Sequence, residues 1–146
     1  MQITSKTKGV VDEGWRYKYE GDIETREGLE ITLDKGLYVT GSIKAGESIK
    51  AGRYIRAGDN YGVSAGLQIT CKKELFFGLK AFAGVCTWRE ITDEEKTITC
   101  SKMVGGGVVE YGILVETGEQ KHTITIDGKN IELSEASFNN LKEQLK

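Results

Sequence analysis

A chain of 146 residues suits one domain, which buries about two-thirds of its unfolded surface, so neither a disulfide nor a metal is required to hold it together. Lys and Arg number 20 against 22 Asp and Glu, and the net charge of -2 argues against a general nucleic-acid binder. Gly at 19 residues is about twice its usual share and Pro is absent, a composition unlike a disordered linker and suited to tight turns between short strands, since Gly takes positive φ at little cost.

The opening MQITSKTKGVV lacks the long apolar run of a secretion signal, and no stretch approaches the roughly 18 apolar residues of a membrane span. Cys71, Cys86 and Cys100 are odd in number and contain no CxxC pair, so they read as buried thiols in a reducing compartment. The expected location is the cytoplasm. Trp15 to Tyr19 alternates aromatic with basic residues and reads as a strand. Ile23, Leu29, Ile31 and Leu33, set among acids, read as a first coil or a capping strand.

From Leu37 the chain repeats itself. Ile43, Ile49 and Ile55 stand six apart, each followed by Lys or Arg, then Ala, then Gly. After two extra residues the phrase returns at Val63-Ser64-Ala65-Gly66, and Leu37 to Gly41 is a degenerate copy in the same phase. Within each unit the aliphatic residue and the Ala are two apart, so both point to one side of a strand while the base points to the other. A helix is the poorer reading, because each interior Gly would cost about 1 kcal/mol. One unit buries too little to stand alone, and stacked units bury a continuous aliphatic column. The pattern predicts a short parallel β-solenoid over about residues 20–90, continuing through Leu75 to Val85, with Asp59 to Gly62 as a bulge or corner loop.

Beyond Trp88 the texture changes. Asp93 to Lys96 reads as a polar turn, and Thr97 to Cys100 and Val108 to Val115 read as strands flanking Gly105 to Gly107. His122 to Ile126 and Asn130 to Leu133 flank Asp127-Gly128, a strong hairpin signal. Ser134 is placed to cap a helix over Glu135 to Leu145, with Ala136, Phe138, Leu141 and Leu145 as its apolar stripe. Residues of about 97–146 are thus expected to supply strands, a hairpin and a terminal helix that close one end of a mainly β single domain.

The G-x-I-x-A-G phrasing between Gly41 and Gly66 resembles bactofilins, bacterial β-helical scaffold proteins that polymerise end to end. It is similar, less closely, to left-handed hexapeptide-repeat acyltransferases. The second likeness implies a catalytic His on a coil, whereas the single His of the chain, His122, falls in the predicted hairpin. The compact character also resembles small phage-encoded accessory proteins.

Candidate chemistry is sparse. The cysteine spacings of 15 and 14 fit no zinc-ribbon or finger pattern and suit one stacked inner column. Gly105 to Gly107 lacks the Lys-Ser/Thr of a phosphate loop. No catalytic, cofactor or metal residue is assigned. Between Lys35 and Arg56 five bases meet one acid, whereas Asp12 to Asp34 holds eight acids and three bases, so charge is expected to segregate on the solenoid. The candidate partner contacts are Lys44, Lys50, Arg53 and Arg56, with the aromatic set Trp15, Tyr17, Tyr19, Trp88 and its neighbour Arg89. The expectation is a non-enzymatic protein-binding module without a cofactor, for instance a phage-encoded inhibitor that occludes a host defence enzyme such as a CRISPR-type nuclease. A self-assembling bactofilin-like element is the alternative, and an acyltransferase the third reading.

Overall fold

The computed structural model describes residues 1–118 and 122–133, together with positions 140 and 144. Two short strands, β1 (Gln2–Ile3) and β2 (Val10–Asp12), precede about five coils of three strands each. The first coil is β3 (Tyr17–Tyr19), β4 (Ile23–Thr25) and β5 (Leu29–Ile31); the second is β6 (Leu37–Val39), β7 (Ile43–Ala45) and β8 (Ile49–Ala51). The third is β9 (Ile55–Arg56), β10 (Val63–Ala65) and β11 (Ile69–Cys71). The fourth is β12 (Leu75–Phe76), β13 (Lys80–Ala83) and β14 (Thr97–Cys100), and the fifth is β15 (Met103–Val104), β16 (Val108–Tyr111) and β17 (Ile113–Glu116). A hairpin, β18 (His122–Ile126) and β19 (Lys129–Leu133), follows.

Three parallel sheets make the faces of a triangular prism. Face 1 runs β2-β3-β6-β9-β12-β15, face 2 runs β4-β7-β10-β13-β16, and face 3 runs β1-β5-β8-β11-β14-β17. Only β2 breaks the parallel rule, lying antiparallel on β3. Side chains alternate as a half-buried strand requires: Ile43, Ile49 and Ile55 are fully buried, while Lys44 and Lys50 are exposed. Full burial of each such Ile contributes about 1.5–3 kcal/mol, and among the described residues the inner faces of the three sheets supply nearly all of the core.

The solenoid differs from the sequence expectation in three ways. Residues six apart do not stack on one another. Ile43, Ile49 and Ile55 lie on faces 2, 3 and 1 of consecutive turns, and the register partner of Leu37 on face 1 is Ile55. Three six-residue units therefore make one circuit, and the extra residues at Asp59 to Gly62 lengthen the next, so that Ile43 pairs with Val63 and Ile49 with Ile69. Second, the solenoid does not stop near residue 90. β14 pairs with β11 and β17 with β14, so residues 97–116 complete the fourth coil and build the fifth.

Third, the repeat glycines serve close approach more than positive φ. Gly46, Gly58 and Gly66 keep ordinary φ, and a Cβ on any of them would overlap a carbonyl of the preceding coil, from Arg26, Thr40 and Gly46 respectively. The hairpin is as expected: Asp127 at φ 51° and Gly128 at φ 77° supply its two left-handed positions. Of the expected terminal helix, Asn140 and Gln144 are helical, and the rest of that segment, with its apolar stripe, lies outside the described residues.

Candidate interaction surfaces

Because consecutive units occupy consecutive faces, the predicted basic set is not one flat patch. Lys44 projects from face 2, in register with Glu24 on one side and Ser64 on the other. Lys50, Arg53 and Arg56 instead follow the chain around the edge where face 3 meets face 1: Lys50 is on β8, Arg53 in the corner and Arg56 on β9. Lys50 and Arg53 are exposed, while Arg56 is half-buried and pairs with Asp59 at 3.3 Å.

The predicted aromatic set divides as well. Tyr17 points inward and is only 6% exposed, its hydroxyl donating to Asp34 at 2.8 Å. That hydrogen bond raises its pKa above the ordinary tyrosine value, with burial adding to the effect. Tyr19 packs against the core and approaches Gly9 next to β2. The first coil turns the Tyr positions of the alternating stretch toward the core, burying Tyr17 and leaving Tyr19 half-buried, and turns its bases outward. Trp15 remains exposed, with the Arg16 guanidinium 4.3 Å from its ring centroid. Arg16 lies 4.4 Å from Tyr38, and Arg56 lies 5.2 Å from Tyr38 and 5.8 Å from Phe76. Trp15, Tyr38 and Phe76 are thus joined by two guanidinium groups into a stack along face 1. Beside it, Lys35 donates to Asp12 at 3.0 Å. The Gly14 amide and Lys35 hold the Asp12 carboxyl below its ordinary range, and the same contact raises Lys35.

Trp88 and Arg89 belong to an excursion between β13 and β14, over residues 84–96, at the edge joining faces 2 and 3. The tip of the Trp88 ring sits over Gly66, where a Cβ would crowd it, and Trp88 is 55% exposed. Arg89 clamps Glu95 through both guanidinium nitrogens, one at 3.2 Å. That pairing, helped by the Thr92 amide, brings Glu95 down to about 2. A single 3-10 turn, Glu94–Lys96, follows where the sequence predicts a polar turn.

The surface that sequence reasoning missed is the C-terminal half of face 2. Ser64, Phe82 and Tyr111 follow one another in register along its outer side, with Lys80 and Val108 in the adjoining column. Tyr61 and Leu79 border them at the edge with face 1, linked by the Leu79 amide donating to the Tyr61 carbonyl at 3.1 Å. Leu79 is 54% exposed, Val108 58%, Tyr111 48% and Tyr61 46%. A depression of about 360 Å³ lies among Tyr61, Leu79, Phe82, Ser64 and Lys44. A β-bulge between Ala81 and Phe82 makes the strip apolar, because Phe82 pairs with Tyr111 and Glu110 is the extra residue. Glu110 is left to approach Lys80 at 3.8 Å. The alternation of β16 alone could not reveal this, since it depends on the register with β13.

Cys71 and Cys100 do fall in one inner column on neighbouring strands, as the spacing suggested, whereas Cys86 lies in the excursion and is only half-buried. The thiol of Cys100 and burial in the column push the Cys71 thiol well above its ordinary value. No group of three or more His, Cys, Asp or Glu side chains placed to hold a metal ion occurs among the described residues.

No protein-family model matches the chain, and neither does any curated protein or solved structure.

Proposed function

We propose that the chain is a non-enzymatic protein-binding module that docks its partner on face 2. The observation that carries this reading is the contiguous strip of Tyr61, Leu79, Phe82, Val108 and Tyr111 on a regular parallel sheet. An exposed apolar patch bordered by charge is the usual mark of a protein interface. A sheet presents such side chains at fixed spacing, so little entropy is lost in ordering them on association. The Trp88 excursion and the rim lysines Lys44 and Lys80 frame the strip and set the orientation of the partner.

End-to-end assembly in the manner of a bactofilin meets an obstacle at the first coil. β2 lies antiparallel on β3, so the outer edge of face 1 is already occupied there. In its narrowest form the proposal is an inhibitor, phage-encoded, that covers a host enzyme. Affinity capture from the native cell tests both levels. A protein recovered at stoichiometric amount with the wild-type chain should fall by about tenfold or more with Leu79→Glu plus Tyr111→Glu, a loss expected of central interface residues. Undiminished recovery would sink the assignment of face 2, and the identity of the captured protein decides the narrower form.

A further inference from the structure

The edge between faces 3 and 1 carries a second, cationic surface that the apolar strip does not use. Its corners stack as residues 52–54, 72–74 and 101–102, since β8 pairs with β11 and β12 pairs with both β9 and β15. Arg53, Lys72, Lys73 and Lys102 are exposed on these corners, and Lys50 is exposed beside them on face 3. None of these five takes part in an ion pair among the described residues. The bases of the preceding coil differ: Lys35 pairs with Asp12 and Arg16 with Glu13. Uncompensated charge therefore begins at the second coil and continues through the fourth. Acids border it at three places: Glu74, half-buried between Lys73 and Leu75, Glu30, in register with Lys50, and Glu116, whose carboxylate accepts from the Met103 amide at 3.2 Å next to Lys102.

Gly52 opens this edge. Nothing lies within 4 Å of where its Cβ would stand, and a depression of about 330 Å³ lies there among Lys50, Lys72, Thr70 and Glu30, floored by Ile31, Leu33 and Ala51.

We infer that this edge binds an acidic helical segment of a protein lying along the solenoid axis. Coils are about 4.8 Å apart and helical turns about 5.4 Å, so one carboxylate per turn keeps step with Arg53, Lys73 and Lys102 over three corners. A single-stranded nucleic acid would instead need open ring faces for its bases. The nearby rings offer few, because Tyr54 is packed against Gly36 and Phe76, and Tyr38 has the Arg16 and Arg56 guanidinium groups 4.4 and 5.2 Å from its centroid. The edge lies opposite face 2 on the prism, so a helix bound there leaves the apolar strip clear. The inference rests on charge and spacing, and it stands or falls independently of the docking proposal for face 2.

Fluorescence anisotropy with three labelled probes tests it on the full chain. The first is an alanine-based helical peptide with Glu at every fourth position, the second a scrambled peptide of the same composition, and the third an oligothymidylate of ten nucleotides. The periodic peptide should bind about fivefold or more tighter than the scrambled one, and its affinity should fall as salt rises from 50 to 200 mM, roughly the range over which surface charges become screened. Arg53→Glu plus Lys73→Glu should weaken it by about tenfold or more, while Leu79→Glu plus Tyr111→Glu should leave it unchanged. Equal binding of the two peptides, tighter binding of the oligothymidylate, no binding at either salt concentration, or indifference to the double charge reversal would each overturn it.

Discussion

Tyr54 lies edge-on to Phe76, with ring centroids 5.8 Å apart and planes at 71°, and its ring fills the space that a Cβ on Gly36 would take. Its hydroxyl is buried and has no hydrogen-bond partner among the described residues. Burial is the main cause of the raised pKa of that phenol, with Glu13 and Glu74 adding to it against the opposing pull of Arg16 and Arg56. An unpaired buried hydroxyl costs more than it returns, so Tyr54→Phe should raise stability by about 1 kcal/mol. Tyr17→Phe should act in the opposite direction, because its hydroxyl has Asp34 as a partner. Urea denaturation of both variants reads the two signs; a Tyr54→Phe protein less stable than wild type would contradict this reading of the site. None of this was legible in the sequence, where Tyr54 is one polar aromatic between Arg53 and Ile55. A hydroxyl's partner is decided by which residue stacks above it, and that register depends on corner lengths that no single unit encodes. Individual inward positions were legible, since alternation alone tells Ile43 from Lys44.

At the scale of the six-residue unit, the Ala-Gly ending looks the same at residues 45–46, 51–52 and 65–66, but the structure uses it differently. Gly46 and Gly66 let the chain turn against carbonyls of the coil before, whereas Gly52 faces open space. Gly66→Ala should therefore cost about 2–3 kcal/mol through overpacking. Gly52→Ala, free of both contact and positive φ, should be neutral or stabilise by up to about 1 kcal/mol by restricting the unfolded chain. Thermal or urea midpoints for the pair check this, and equal losses at both positions would contradict the coil packing described. The repeat revealed that short strands alternate and stack. It could not reveal that three units close one circuit, because period six is compatible with any number of strands per turn. For the same reason the sequence could not tell that the basic residues divide between face 2 and the edge of faces 3 and 1. The fifth coil escaped notice because Met103, Val109 and Leu114 replace the Ile-Lys-Ala phrase while keeping its register.

Over the whole molecule, the regular inner core leaves function to the outer surfaces; the cationic edge follows the regular stacking of corners, whereas the face 2 strip arises where regularity fails. The bulge at Phe82 exchanges a carboxylate for Tyr111 on face 2, and the excursion after β13 adds Trp88 at its border. Six of the eleven large hydrophobic residues exposed in the described part of the chain (Tyr61, Leu79, Val85, Trp88, Val108 and Tyr111) belong to face 2 or to its two edges. The sequence pointed to a binding module from its missing catalytic constellations and separated charges, with Lys44, Lys50, Arg53, Arg56, Trp15, Tyr17, Tyr19, Trp88 and Arg89 as candidate contacts; of these, Lys44 and Trp88 border the face 2 strip. A patch assembled from strands nearly 30 residues apart, as Phe82 and Tyr111 are, becomes visible only once the coils are stacked. Photo-crosslinking in the native cell probes the docking face itself, with a benzophenone amino acid at Phe82 on face 2 and, separately, at Val11, which is exposed on β2 at the outer end of face 1 and belongs to neither proposed surface. One discrete adduct with a second protein is expected from position 82 and none from position 11. Adducts of equal yield from both positions, or from position 11 alone, would refute docking on face 2.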